Sequence, residues 1–135
     1  MKGIFTLAML FCILTTVSFG YGRYEAAKKI EAEAQSYYEI DEFAKALPLY
    51  QRLDSLVPGN PDYAYKIGVC LYNSIDKKKS LDYFLRAKKN NVKSETMNFF
   101  LARAYHFNNN FDSAIYYYNV ISPCLNRKNK HCSNR

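Results

Sequence analysis

Three stretches of the sequence follow one another at a constant offset: AQSYYEIDEFAKALPLY at 34–50, GVCLYNSIDKKKSLDYF at 68–84 and ARAYHFNNNFDSAIYYY at 102–118. Each opens on a small residue, has an aromatic residue or leucine three places later, and ends on a large aromatic residue. The repeating columns are Ala34/Gly68/Ala102, Tyr37/Leu71/Tyr105, Ala46/Ser80/Ala114, Tyr50/Phe84/Tyr118 and Leu53/Ala87/Ile121. We call the offset from Ala34 to Gly68, which recurs from Gly68 to Ala102, the repeat step. A step of this size, kept over three copies without a gap, is typical of stacked supersecondary units.

The spacing inside each stretch predicts two helices. Residues three or four positions apart share one face of a helix, so the first two columns define one packing face and the next three define another. We therefore predict an all-α fold made of three helix pairs, at 27–60, 61–94 and 95–128.

Turn residues support the same division. The segment 58–62 (Pro-Gly-Asn-Pro-Asp) is expected to end one helix and begin the next, with Asn60 as N-cap and Pro61 in the first turn. Asp76 and Asn110, which stand one repeat step apart, are expected to cap second helices, and Ser94 to cap the first helix of the third pair. Pro48 falls inside a predicted helix and is interpreted as a tolerated kink.

The pattern of the three units resembles the tetratricopeptide repeat. The fullest match is the first unit, through Ala34, Tyr37, Phe43, Ala46, Tyr50 and Pro58. The resemblance implies a right-handed superhelix of three helix-turn-helix repeats that binds a protein or peptide along its concave face. The second and third units depart from the pattern, since Val92 and Asn126 replace the closing proline.

A narrower resemblance involves residues 46–50 (ALPLY), 65–74 (YKIGVCLYNS) and 77–80 (KKKS). These segments are similar to the repeat region that opens larger exported Bacteroidetes envelope proteins, where the repeats precede a propeller-like region and an OmpA-like peptidoglycan-binding domain. The resemblance implies an envelope location and a scaffolding role, without peptidoglycan binding.

The N-terminal segment 1–20 (MKGIFTLAMLFCILTTVSFG) has a lysine, a fourteen-residue apolar run and small residues at its end. This is the layout of a secretory signal peptide. The alternative is a retained membrane anchor, although the run is shorter than the roughly 20 apolar residues of a spanning helix. We expect an exported protein, periplasmic or associated with the outer membrane.

The charge is unevenly distributed. The whole chain carries +7 and the chain from Tyr21 carries +6, with −2 over residues 21–75 and +8 over residues 76–135. We interpret the basic half first as a solvated face, second as attracting an acidic partner or an anionic membrane, and last as a nucleic-acid site. We therefore predict no nucleic-acid partner.

The first helices of the units are expected to line the concave face. Their aromatic and hydrogen-bonding side chains suit an extended peptide or a partner helix. Arg103 and His106 are candidates to pair with a ligand carboxylate. The alternative is that the aromatic residues simply pack and that Arg103 is a surface charge. The predicted groove residues are Glu31, Gln35, Tyr38, Tyr65, Val69, Tyr72, Phe99, Arg103 and His106.

The sequence does not support catalysis, cofactor binding or metal binding. There are two histidines, no recognisable nucleophile motif and no glycine-rich phosphate loop, so we predict no enzyme, no cofactor and no small-molecule substrate. Cys70 is expected to be a buried thiol. Cys124 and Cys132 are spaced to close a small loop, whereas Cys124, His131 and Cys132 match no usual zinc spacing, so no metal site is predicted.

The sequence thus predicts an exported, non-enzymatic scaffold that binds a protein or peptide. The alternative is an orphan repeat module of a larger envelope protein with no ligand of its own. That alternative is favoured by the apolar edge of the third unit, which the short polar segment 129–135 is too brief to cover with a helix.

Overall fold

The computed structural model describes residues 24–92 and 94–132, with side chains described as far as residue 122. The predicted signal peptide at 1–20 lies outside the described residues. Within them the protein is all-α and has no strand, which confirms the all-α part of the predicted fold. The six helices of this part are α1 (24–39), α2 (Phe43–Leu56), α3 (Pro61–Tyr72), α4 (Ser80–Lys89), α5 (Met97–Phe107) and α6 (Phe111–Cys132), and a 3₁₀ turn at Lys77–Lys79 leads into α4.

The helices follow one another in pairs. The second member of each pair begins at residue 43, at residue 77 through the 3₁₀ turn, and at residue 111, so the starts are separated by the repeat step. Each helix from α2 onward packs against its neighbour in the chain, and α1 shares a buried cluster with α2 and α3. Helix α6 continues past residue 128 to Cys132.

Helices α1 and α5 end in the same way. Asp41 and Asn109 adopt φ values of 60° and 59°. The amide one residue further on donates to a carbonyl five residues back, over 2.9 Å from Glu42 and 3.0 Å from Asn110. This is the Schellman arrangement, which satisfies carbonyls that a helix end leaves without partners. Asn91, with φ 58°, closes α4 in the same manner.

The middle pair has a different connection. Asp76 was expected to cap its second helix, but its side chain makes no capping hydrogen bond and instead pairs with Lys79 at 2.8 Å. The prediction is wrong because the segment enters a 3₁₀ turn and Asp76 (φ −90°, ψ 37°) lacks the extended backbone usual at an N-cap. Ile75, at the tip of this connection, is fully exposed.

Two of the predicted caps are confirmed and one further cap is wrong. Asn60 Oδ1 accepts from the Asp62 amide at 2.9 Å, with Pro61 in the first turn, and Asn110 Oδ1 accepts from the Ser113 amide at 3.2 Å. Ser94 does not cap α5, because a turn at 95–96 precedes the helix and the Ser94 hydroxyl lies 3.1 Å from that of Thr96. Pro48 lies inside α2, as expected.

The core consists of two neighbouring clusters that share α3. The first joins α1, α2 and α3 around Tyr50 and Leu53, and the second joins α3, α4 and α5 around Phe84 and Leu101. All four side chains are completely buried. Gly68 on α3 allows the Phe84 ring to approach, since a Cβ at this position would lie 2.6 Å from a ring carbon.

Candidate binding face

The predicted groove residues are distributed over the first helix of each pair. Val69 is buried at 5% exposure, whereas Phe99 and His106 are exposed and the remaining six are half-buried. Helix α1 carries Glu31, Gln35 and Tyr38, helix α3 carries Tyr65, Val69 and Tyr72, and helix α5 carries Phe99, Arg103 and His106.

The side chain of Arg103 contacts two aromatic rings. Its guanidinium carbon lies 5.5 Å from the centroid of the Tyr72 ring on α3 and 5.6 Å from that of Phe99 on its own helix. Such distances give cation–π attraction. Within the described residues, Arg103 Nε is buried without a hydrogen-bond partner, and none of the ion pairs involves this side chain. The cation is therefore held by rings rather than by a carboxylate.

His106 is oriented by a different neighbour. Its ring meets the exposed ring of Phe111 edge to face, at a centroid distance of 5.6 Å. The ring of Tyr72 packs against the rings of Phe100 and Phe107, at centroid distances of 5.3 Å and 5.8 Å. The sequence grouped Arg103 with His106, whereas the structure provides Arg103 with contacts to Tyr72 and Phe99.

Sequence reasoning missed a second cation, Lys66 on α3, whose side chain contacts residues of α1 and α2. Lys66 Nζ donates to Gln35 Oε1 and lies 5.8 Å and 5.1 Å from the ring centroids of Tyr38 and Tyr50. The Tyr50 hydroxyl donates to the same Gln35 oxygen at 3.0 Å. We name Gln35, Tyr38, Tyr50 and Lys66 the first junction group.

The same four positions recur one repeat step later with apolar chemistry. Phe100 stands where Lys66 does, and its ring centroid lies 5.3 Å from both Tyr72 and Phe84. Val69 replaces Gln35, and Phe84 replaces Tyr50. We name Val69, Tyr72, Phe84 and Phe100 the second junction group. The sequence contains a signal for this role of Lys66. Lys66 directly follows Tyr65 of the predicted groove, as Phe100 follows Phe99 one repeat step later.

Burial keeps the phenols and the thiol near the first junction group protonated. It raises the pKa of Tyr38 and of Tyr50 well above the ordinary value, and the nearby Cys70 adds to both shifts. Burial also raises the pKa of Cys70 from 9.0 to about 12, and its side chain is 1% exposed. Cys70 is thus the buried thiol that the sequence predicted, and Tyr50 remains a hydrogen-bond donor at neutral pH.

Several basic residues of the second half serve the fold or lie in solvent. Arg86 on α4 pairs with Asp54 on α2 at 2.8 Å, and Lys88 Nζ donates to the Tyr117 hydroxyl at 2.9 Å. Arg86, Lys88 and Lys89 lie in the last turn of α4, where cations are favourable to the helix dipole. Lys77, Lys78 and Lys79 are exposed on the 3₁₀ turn.

Membrane-spanning and metal-binding features were sought in the same part of the chain. No described helix has both the length and the apolar character needed to cross a bilayer. The described side chains contain no group of three or more potential metal ligands. The side chains of Cys124, His131 and Cys132 lie outside the described residues. The backbone of α6 is helical from Cys124 to Cys132, so this segment does not form the small loop that the spacing of the two cysteines suggested.

No protein-family model and no curated protein sequence matches this chain.

Proposed function

We propose that this protein is a non-enzymatic scaffold that binds a protein or peptide partner. It consists of three tetratricopeptide units at 27–60, 61–94 and 95–128, wound into a right-handed superhelix. Two observations support the repeat assignment: the five sequence columns, and second helices whose starts are separated by the repeat step. The partner lies along the first helices, α1, α3 and α5.

The single observation that carries the binding function is the environment of Arg103. A guanidinium held between two rings has little conformational entropy left to lose when a ligand binds, which favours affinity. Its polar donors are free of carboxylates within the described residues. Lys66, also without an ion pair in this part of the chain, adds a second cation. The partner is therefore a peptide segment with acidic side chains beside aromatic or aliphatic ones.

Export to the cell envelope, in the periplasm or at the outer membrane, is part of the proposal. It rests on the signal-like segment 1–20 and on the resemblance to repeat segments of exported envelope proteins. Fractionation of cells that express the tagged full chain tests it. Recovery of the uncleaved chain in the cytoplasmic fraction would contradict it.

The binding function is tested with a peptide selected from a displayed random library on the purified protein. Fluorescence anisotropy then measures its affinity for the parent chain, Arg103→Gln, Tyr72→Ala and the control Arg52→Gln, which removes an exposed arginine from α2. We expect Arg103→Gln to weaken binding about tenfold or more, since charge-assisted hydrogen bonds contribute about 1.5–3 kcal/mol. Equal affinities for all four proteins would exclude this face.

The second candidate function is an orphan repeat module that has no ligand of its own. The observation that favours it is the exposed apolar surface of the last pair, where Phe111 and Ile115 are 53% and 57% exposed. Under this alternative the library selection yields no peptide whose binding depends on Arg103 or Tyr72.

A further inference from the structure

Helix α6 carries an apolar stripe with little cover. Phe111 and Ile115 are more than half exposed, and Tyr118 and Ile121 are only half-buried. Their spacing places all four within one third of the helix circumference. We name these four residues the α6 face.

The chain contains a nearly identical stripe that is covered. Phe43, Leu47, Tyr50 and Leu53 on α2 stand two repeat steps before the α6 face, match it at the phenylalanine and the tyrosine, and differ only by leucine for isoleucine at the other two positions. Tyr50 and Leu53 are completely buried, and Phe43 and Leu47 pack against the same cluster. The difference in burial therefore comes from the surroundings and not from the side chains.

Helix α3 provides that cover. Its Tyr63, Ile67, Cys70 and Leu71 belong to the same buried cluster as Tyr50 and Leu53. The middle pair behaves likewise, because Phe84 and Ala87 on α4 share a cluster with Met97, Leu101 and Ala104 on α5. Each of the two earlier stripes is thus covered by a helix with apolar residues at positions i, i+4 and i+7.

A second copy of this chain does not offer such a helix at its first pair. The positions of α1 that stand one repeat step before Tyr63, Ile67 and Cys70 are Lys29, Glu33 and Ser36, all of them exposed. Stacking α1 of one copy on α6 of another would bury a lysine and a glutamate against apolar side chains, which is costly. Head-to-tail assembly is therefore disfavoured.

We infer that the α6 face is a docking surface for an amphipathic helix from another protein, with the apolar pattern of α3 at positions i, i+4, i+7 and i+8. This surface adjoins the face proposed to bind peptides at the contact between Phe111 and His106, but its four residues all belong to α6 and none of them is a predicted groove residue. The near identity of the two stripes is the observation that specifies the occupant.

A synthetic peptide of residues 61–74 (PDYAYKIGVCLYNS), with Cys70→Ala and a fluorescent label, is the probe. We expect saturable binding to the purified full chain. Ile115→Lys should weaken it at least about tenfold, because it removes one apolar side chain from the contact. Tyr116→Lys, at a 62% exposed position beside the stripe, is the matched control and should leave the affinity unchanged. The peptide with Ile67→Lys should not bind.

Three results would overturn the inference: no saturable binding of the peptide to the parent chain, equal loss with Ile115→Lys and Tyr116→Lys, or unchanged binding with Ile115→Lys. Light scattering of the protein alone gives a fourth test. A dimer that Ile115→Lys dissociates would show that a second copy, rather than a partner helix, occupies the α6 face.

Discussion

Lys66 and Phe100 stand one repeat step apart and take the same place between two aromatic rings, although one ends in a cation and the other in a hydrocarbon ring. Their neighbours differ in the same sense. Where Lys66 has Gln35 and the Tyr50 hydroxyl, Phe100 has Val69 and the hydroxyl-free ring of Phe84. The two junction groups therefore use one backbone frame with two consistent sets of side chains.

The comparison shows that the helix backbones determine which four positions contact one another, whereas the side chains at those positions can be polar or apolar. An apolar junction contributes through burial, which has no directional requirement. A polar junction contributes little net stability, because its hydrogen bonds replace bonds to water, but it loses stability sharply when one partner is removed. The first junction group is thus the more specific and the second the more stabilising.

The largest expected effect concerns the second junction group. Phe84→Ala should lower the free energy of unfolding by about 3–5 kcal/mol, because a completely buried phenylalanine leaves a cavity. Urea unfolding followed by circular dichroism measures the change. Leu85→Ala, at a 37% exposed neighbouring position, is the control, and an equal cost for both would contradict the assigned role of Phe84.

Exchanging the chemistry of the groups should have the next largest effect. Phe100→Lys places an ammonium beside Val69 without an acceptor and should cost about 2–4 kcal/mol in the same measurement. Adding Val69→Gln and Phe84→Tyr recreates the first junction group and should recover at least about 1 kcal/mol relative to additive costs. Strict additivity of the three substitutions would show that the side chains of a junction act independently.

Removing or adding a single hydroxyl should have a smaller effect. Tyr50→Phe removes a donor to Gln35, and Phe84→Tyr introduces a hydroxyl at the equivalent position of the second junction group, where Val69 stands in place of Gln35 and offers no side-chain acceptor. Each should lower the free energy of unfolding by about 0.5–1.5 kcal/mol. If Tyr50→Phe stabilised the protein in thermal unfolding, the hydrogen bond between Tyr50 and Gln35 would contribute nothing net.

The last expected effect is seen only at alkaline pH. Cys70 has a pKa of about 12 in the folded protein against 9.0 as its ordinary value, so above pH 9 the unfolded chain binds fewer protons than the folded one. This contribution to stability is complete below pH 9 and is lost as the pH rises toward 12. Cys70→Ala should flatten the decline in stability between pH 9 and 11. An unchanged slope would contradict a buried, protonated Cys70.

The helix pairs were predictable because small and large residues recur at fixed intervals. In the columns through Ala46 and Tyr50 every position is buried except Tyr118, which is half-buried. Asn60 and Asn110 were predictable as caps because capping depends on residues close in the chain. Pro48 was correctly placed inside a helix because the column positions Ala46 and Tyr50 stand on either side of it.

The remaining features depend on how helices meet. Ser94 and Asp76 have suitable capping side chains, but the turns before α5 and α4 determine which amides are within reach. Lys66 is polar, so its place beside the half-buried ring of Tyr38 and the buried ring of Tyr50 contradicts the simple pattern of an amphipathic helix. The contact of Arg103 with Tyr72 joins two helices, and a column count within each unit does not show it.

Helix α3 belongs to both buried clusters, and it has core residues on more than one side. If the helices at either end of the array unfold, α3 stays packed against the other half. Helix α6 packs mainly against α5 and has no such second support. Amide hydrogen exchange should therefore be slowest in α3 and fastest in α6, and the protein should lose protection progressively from its last helix inward. Cooperativity in this molecule is thus centred on α3, whose buried residues belong to both cores.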